Sequence, residues 1–191
     1  MNRTGTYVAF DGLGKTNPVE SDFRYYATIQ AWAANKNIEF NITNSHEKAS
    51  AVRDTSQKAT LIASIQQRFR GSKNMLVVLS TDTRKTGSVL SDEIRMAVDT
   101  YKIPLIITYV GYSIISNPSQ LSYWWPTALQ ERIDNGTAHA IHIPFKKDLV
   151  LKAIEYFSPI QLPAYKGTTI YGREVYQDLG LLAPSGVFCN R

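Results

Sequence analysis

Cysteine is almost absent from this 191-residue chain. Cys189 is the only one, so no internal disulfide forms and no redox or metal role is expected of it. No stretch approaches the roughly eighteen continuous apolar residues that span a bilayer, which argues against a membrane segment. The opening Met-Asn-Arg-Thr-Gly-Thr lacks the apolar run of a signal peptide, so a cytoplasmic location is expected. Histidine is scarce. His139 and His142 fall at odd spacing on opposite faces of a strand and cannot share one metal, and His46 has no acidic or thiol partner at a ligand spacing. Asp82 and Asp92 bracket a loop without a magnesium-ligand spacing, so no metal and no resident cofactor is expected. The Gly-x-Ser-x-Gly elbow of serine hydrolases is missing. Asp11-Gly-Leu-Gly-Lys-Thr16 resembles half of a phosphate loop, but Ala9 stands apart from the glycine pattern that motif needs. What remains is a glycine loop at a strand end, able either to turn the chain or to bring backbone N–H groups to a ligand.

The chain is moderately basic, with 21 Lys plus Arg against 16 Asp plus Glu. The basic residues are scattered and do not alternate with exposed aromatics, which argues against nucleic-acid binding. Tyr123-Trp124-Trp125 reads as a hydrophobic anchor or interface patch in preference to a base-stacking platform.

What is present is a repeating alternation of short β-branched runs and amphipathic segments. Thr6–Phe10 reads as a first strand, and Asp22 opens a helix with Phe23, Tyr26, Ile29 and Ala33 along one face. Ile38–Ile42 reads as a second strand, and Ala59, Ile62, Ile65 and Phe69 give a helical period that Gly71 stops. Met75–Leu79, Ile103–Tyr109 and Ala138–Ile143 read as buried strands, with helices after Ser88, before Ile133 and over 148–157. Five βα repeats predict an α/β fold of three layers, flavodoxin-like, with a five-stranded parallel sheet and helices on both faces. The expected domain covers residues 1–157. Residues 158–191, punctuated by proline and glycine, form a tail expected to pack on that domain or on a neighbour.

One carboxylate stands out. In open α/β sheets ligands bind beyond the carboxyl ends of the strands, where the Ser80–Ser88 loop and the start of the next helix lie. On that helix Leu90, Ile94, Ala97, Val98 and Tyr101 form an apolar face. Glu93 falls on its shoulder, about 40° outside the stripe at 100° per residue, while Asp92 points to solvent. Glu93 reads either as a group aimed at a pocket or as a first-turn acid favoured by the helix dipole.

The segment from Ser80 to Ala97, with Glu93-Ile94 and Ala97, resembles the Glu-(Ile/Leu)-x-x-Ala pattern of TIR-like domains of the type found in Thoeris antiphage defence. The strand Tyr7–Phe10 with its polar loop, Asp22 entering a helix with Trp32, and Leu76–Leu79 ending in Ser80 carry the rest of the resemblance, which covers about residues 5–157. One departure is Val89, where family members often carry tryptophan. The resemblance implies NAD⁺ as substrate, cleaved between nicotinamide and ribose by Glu93 as the catalytic group, giving a cyclic ADP-ribose signal or simple hydrolysis. It further implies Phe10, Asp11, Gly12 and Ser80 as substrate-binding residues, the phosphates lying on the Asp11–Gly14 loop and the ring on Phe10. Self-association through the 43–55 loop, a phage-derived activator and a downstream nucleotide-sensing effector are the implied partners. Two other functions stay open: a non-catalytic interaction module, and a nucleoside deoxyribosyltransferase-like enzyme using Glu93 as nucleophile.

Overall fold

A computed structural model of the chain describes residues 3–13, 22–34, 42–43 and 55–183. Gly14 to Thr16, the first part of the expected second strand, most of the 43–55 loop, His46 and Cys189 lie outside the described residues. The sheet is all parallel. Its strands are β1 (Gly5–Phe10), β2 (Ile42–Thr43), β3 (Ser72–Leu79), β4 (Leu105–Tyr109), β5 (Ala140–Pro144) and β6 (Thr169–Ile170), in spatial order β2-β1-β3-β4-β5-β6. The order reverses direction between β1 and β3, which makes their carboxyl ends the topological switch point.

Alternation along the buried strands divides the core in two. Tyr7, Ala9, Met75, Val77, Leu79, Leu105, Ile107 and Tyr109 face one side. There they meet α2 (Thr55–Gly71), α3 (Val89–Arg95) and α4 (Thr127–Asp134) through residues such as Phe69, Leu90, Ile94 and Leu129. Val8, Phe10, Leu76, Val78, Ile106 and Ile141 face the other side, against α1 (Phe23–Ala33), α5 (Lys147–Tyr156) and α6 (Arg173–Asp178). Residues of β1, β4 and β5, and all of β3 except Lys73, thus bury their side chains, the arrangement that makes parallel strands apolar on both faces. Asn74 ties the amino edge of the sheet to α5: it accepts from Thr6 Oγ1 at 2.8 Å and donates to the carbonyls of Ile154 (3.0 Å) and Phe157 (2.7 Å).

The expected helix after Ser88 is α-helical only through Arg95. A turn of π-helix over Met96–Thr100 comes next, and the N–H of Tyr101 bonds the carbonyl of Met96. A single wide turn of this kind shifts the phase of the residues beyond it. Here Glu93, Ile94, Ala97 and Val98 are all buried.

The segment after residue 157 adds β6 to the sheet edge and lays Tyr176 into the core. A buried relay anchors it. Gly167 offers a carbonyl 2.7 Å from His142 Nε2, which must therefore carry the proton and donate. His142 Nδ1 is then the acceptor for the Tyr109 hydroxyl at 2.7 Å, and the Tyr109 oxygen accepts from Trp125 Nε1 at 2.6 Å. Burial holds His142 neutral, its pKa lowered to about 4. Gly167 itself sits at φ +79°, and a Cβ there would meet Ile133 at 2.8 Å, so only glycine fits. Trp124 and Trp125 are internal anchors, whereas Tyr123 is exposed. Tyr109→Phe removes the middle of the relay and leaves His142 Nδ1 and Trp125 Nε1 unpaired. It should cost about 2–4 kcal/mol in urea denaturation, whereas a cost under about 1 kcal/mol would mean the relay contributes little.

Candidate functional site at the switch point

Two layers of polar groups occupy the carboxyl ends of β1 and β3. The deeper layer is Glu93. It is 3 % exposed, and its Oε1 accepts the Tyr7 hydroxyl proton at 2.5 Å. The flank on which helical geometry places it is not open: α2 packs beside it, and an aromatic stack closes the gap. Tyr7 stacks on Phe69 with ring centroids 4.2 Å apart, and Phe69 stacks on Tyr101 at 5.2 Å. Glu93 is therefore not a solvated first-turn acid. Burial raises its pKa to about 8, against the opposing pull of the Tyr7 bond and the Arg68 charge, with small further rises from Asp92 and Asp11. Burial and the neighbouring Glu93 likewise raise the Tyr7 phenol well above its ordinary value.

The outer layer is a rim of loop residues. Asp11, just past β1, is saturated by the protein: it accepts from Leu13 N (2.9 Å), Arg84 N (2.9 Å), Arg84 Nε and, at 2.6 Å, Arg84 Nη2. Burial alone would raise its pKa, but these bonds outweigh it and hold the carboxylate ionised. Arg84, on the β3–α3 loop, thus clamps that loop to β1. Lys85 secures the same loop from the other side, donating to the carbonyls of Ser122 and Trp125 at 3.0 Å each. Ser80, at the end of β3, is also fully engaged. Its N–H donates to Thr83 Oγ1, and its hydroxyl donates to Asp22 Oδ2 (3.1 Å) and accepts from Asp82 N (3.2 Å). Asp22, at the start of α1, has its pKa raised to about 6, chiefly by burial, with Ser80 opposing and the charges of Asp11 and Asp82 reinforcing.

Of the residues expected from sequence, Asp11 and Ser80 meet on this rim. Gly12 follows Asp11, and a Cβ placed on it would find open space. Phe10 is elsewhere. Strand alternation turns it to the opposite face from Tyr7 and Glu93, where it packs against Tyr26 (5.5 Å between centroids) and Phe23 (6.0 Å). Val89, in the tryptophan position of the resemblance, is 48 % exposed at the head of α3. Sequence reasoning missed Tyr7 and Arg84. Tyr7 had a signal, since it shares strand parity with Ala9 and Asp11. Arg84 lay in a polar loop where nothing marks one cation over another. No group of three or more potential metal ligands occurs among the described residues.

The raised pKa of Glu93 links protonation to stability. An acid whose folded pKa of about 8 exceeds its unfolded value of 4.5 binds more protons folded than unfolded between those limits. Its stabilising contribution is complete below about pH 4.5 and is lost as pH rises through about 8. Glu93→Gln removes that dependence. The melting temperature of wild type should fall relative to Glu93→Gln by about 5 °C or more between pH 5 and pH 9. Parallel pH curves for the two proteins would mean that Glu93 titrates as an ordinary exposed acid.

Comparison with known proteins gives two findings. A solved structure of a conserved protein from Enterococcus faecalis V583 is similar, with 14% sequence identity, a TM-score of 0.45, and coverage of 79% of this chain and 98% of that one. The family model described as the Thoeris protein ThsB, TIR-like domain, matches residues 7–113, more than half of the chain, from Tyr7 of β1 past the end of β4. This chain, with Tyr7 and Glu93 both inside the matched span, belongs to the ThsB TIR-like domain family of Thoeris defence proteins.

Proposed function

We propose that this protein is an NAD⁺ glycohydrolase or cyclase, cleaving the nicotinamide–ribose bond and releasing an ADP-ribose signal in antiphage defence. The observation that carries the reading is Glu93, a buried carboxylate on the Tyr7 face of the sheet, bonded to Tyr7 and set in a low-dielectric wall. Departure of neutral nicotinamide leaves an oxocarbenium-like ribose. An adjacent anion stabilises that charge far more in a water-excluded site than it would in water. Glu93 is mostly protonated at neutral pH, with roughly a tenth ionised at pH 7 given its pKa of about 8. The positive charge of the substrate favours the ionised form as it approaches, so binding and activation coincide. Tyr7 and Arg68 keep that ionisation within reach, since both favour the charged carboxylate. Water capturing the cation gives ADP-ribose, and capture by a hydroxyl of the ligand itself gives a cyclic isomer. NAD⁺ is the substrate in this scheme and no resident cofactor takes part. Because Glu93 is 3 % exposed, substrate reaches it only after α3 or the rim moves. Self-association or a phage-derived activator would supply that opening, and a nucleotide-sensing effector would read the product.

One observation favours a second reading. The same burial and the Tyr7 bond would satisfy Glu93 as a purely structural acid in a non-catalytic interaction module. The nucleoside deoxyribosyltransferase-like alternative needs a carboxylate poised to attack, and the 2.5 Å bond from Tyr7 withdraws electron density from the attacking oxygen. Incubation of concentrated protein with NAD⁺, with and without infected-cell lysate, separates these readings. The expected result is nicotinamide release that rises with pH toward about 8 and falls at least about 100-fold in Glu93→Gln. Absence of turnover under both conditions, in folded protein, would favour the interaction module.

A further inference from the structure

Asp22 occupies the position at which an aspartate ordinarily caps a helix, yet its side chain makes no capping bond to α1. The carboxylate is turned instead toward β3, where Oδ2 accepts from Ser80. The residue is 1 % exposed, and among the described residues Oδ1 has no hydrogen-bond partner. A buried carboxylate oxygen without a donor is costly and needs a reason. Two rim side chains expected from sequence to contact the ligand are already engaged, Asp11 by Arg84 and Leu13 and the Ser80 hydroxyl by Asp22 and Asp82.

We propose that Asp22 Oδ1 is a ligand-binding group, accepting a hydrogen bond from a hydroxyl of the adenosine ribose of a dinucleotide laid across the ends of β1 and β3. The inference rests on the proposed NAD⁺ chemistry. A hydroxyl fits better than the alternatives. An anion is disfavoured, since Asp82 and Asp11 lie close enough to add to the negative field at Asp22. A divalent cation needs several oxygen ligands, and no cluster of three potential ligands occurs among the described residues. A ribose hydroxyl is neutral, donates one proton, and is the group that a carboxylate at a switch point commonly takes in dinucleotide folds. Asp22 opens α1, on the Phe10 face of the sheet, whereas Glu93 lies on the Tyr7 face. The two carboxylates therefore flank the crest of the sheet, one for each ribose of NAD⁺. Ser80 becomes a positioning residue that holds Asp22 Oδ2, in place of the direct ligand contact the resemblance implied.

The test is a cycle between protein and ligand. Affinities for NAD⁺ and for an analogue lacking both hydroxyls of the adenosine ribose are measured by calorimetry in the Glu93→Gln protein, which prevents turnover. The same pair is then measured with Asp22→Ala added, the fold being checked by circular dichroism. NAD⁺ should bind about 10-fold or more tightly than the analogue when Asp22 is present, and the two should bind alike without it. Ser80→Ala should reduce the preference only in part. An undiminished preference in folded Asp22→Ala would overturn the proposal, as would failure of either ligand to bind at millimolar concentration. If the hydroxyl preference depends on Asp22 but wild type releases no nicotinamide, the ribose site stands and the glycohydrolase reading falls. If Asp22→Ala does not fold, Asp22→Asn replaces it. That variant keeps an acceptor for Ser80 and puts an amide donor in place of Oδ1, and an unchanged preference there overturns the proposal equally.

Discussion

Between Tyr7 and Glu93 runs a hydrogen bond inside a largely apolar layer, and the packing of α3 depends on it. A carboxyl group placed in a dry core without a partner would cost several kcal/mol, so α3 can dock only where the Tyr7 hydroxyl meets it. That register puts Leu90, Ile94 and Ala97 on the strands below, and the π-helical turn after Arg95 returns the chain to β4 without exposing Val98. Tyr7 is in turn fixed by its stack on Phe69 of α2. Three elements thus meet at one polar contact. That contact fixes where Glu93 stands relative to β1 and α2.

Above that contact the rim assigns its carboxylates different states by giving them different partners. Asp11, gripped by Arg84, stays ionised and serves as a clamp between β1 and the β3–α3 loop. Asp22 has a serine hydroxyl and the charge of Arg24 to offset its burial and its acidic neighbours, and Glu93 a phenol and the charge of Arg68, and in both burial wins and the pKa shifts upward. Pairs of acids pushed apart in this way are a recurrent mark of functional sites, and here the separation is set by where the rim arginine Arg84 bonds.

The fold was largely legible in the sequence. β-branched runs such as Met75–Leu79 and Leu105–Tyr109 bury both faces, and their unbroken apolar character marks them as strands of a parallel sheet. The sixth strand was not legible, because Thr169-Ile170 is two residues long and is held at the edge by the His142–Gly167 contact, which no local pattern reveals. Glu93 was legible as a candidate from its place on α3. Its burial was not, since that depends on Phe69 and Tyr7 arriving from elsewhere in the chain. Period-two alternation in β1 separates Phe10 from Tyr7 and places the Tyr7 phenol on the Glu93 side. The clamp by Arg84 and the unpartnered oxygen of Asp22 arise from long-range loop geometry that local propensity does not encode.

Whether Glu93 is held as a buried, largely protonated acid is the point on which the account turns. Carbon-13 labelling of the glutamate carboxyls, with Glu93→Gln to assign the resonance, allows its titration to be followed directly by NMR. A midpoint near 8 is expected in the free protein, with a shift to lower pH when NAD⁺ is added. A midpoint near the ordinary glutamate value of 4.5, unmoved by NAD⁺, would contradict it.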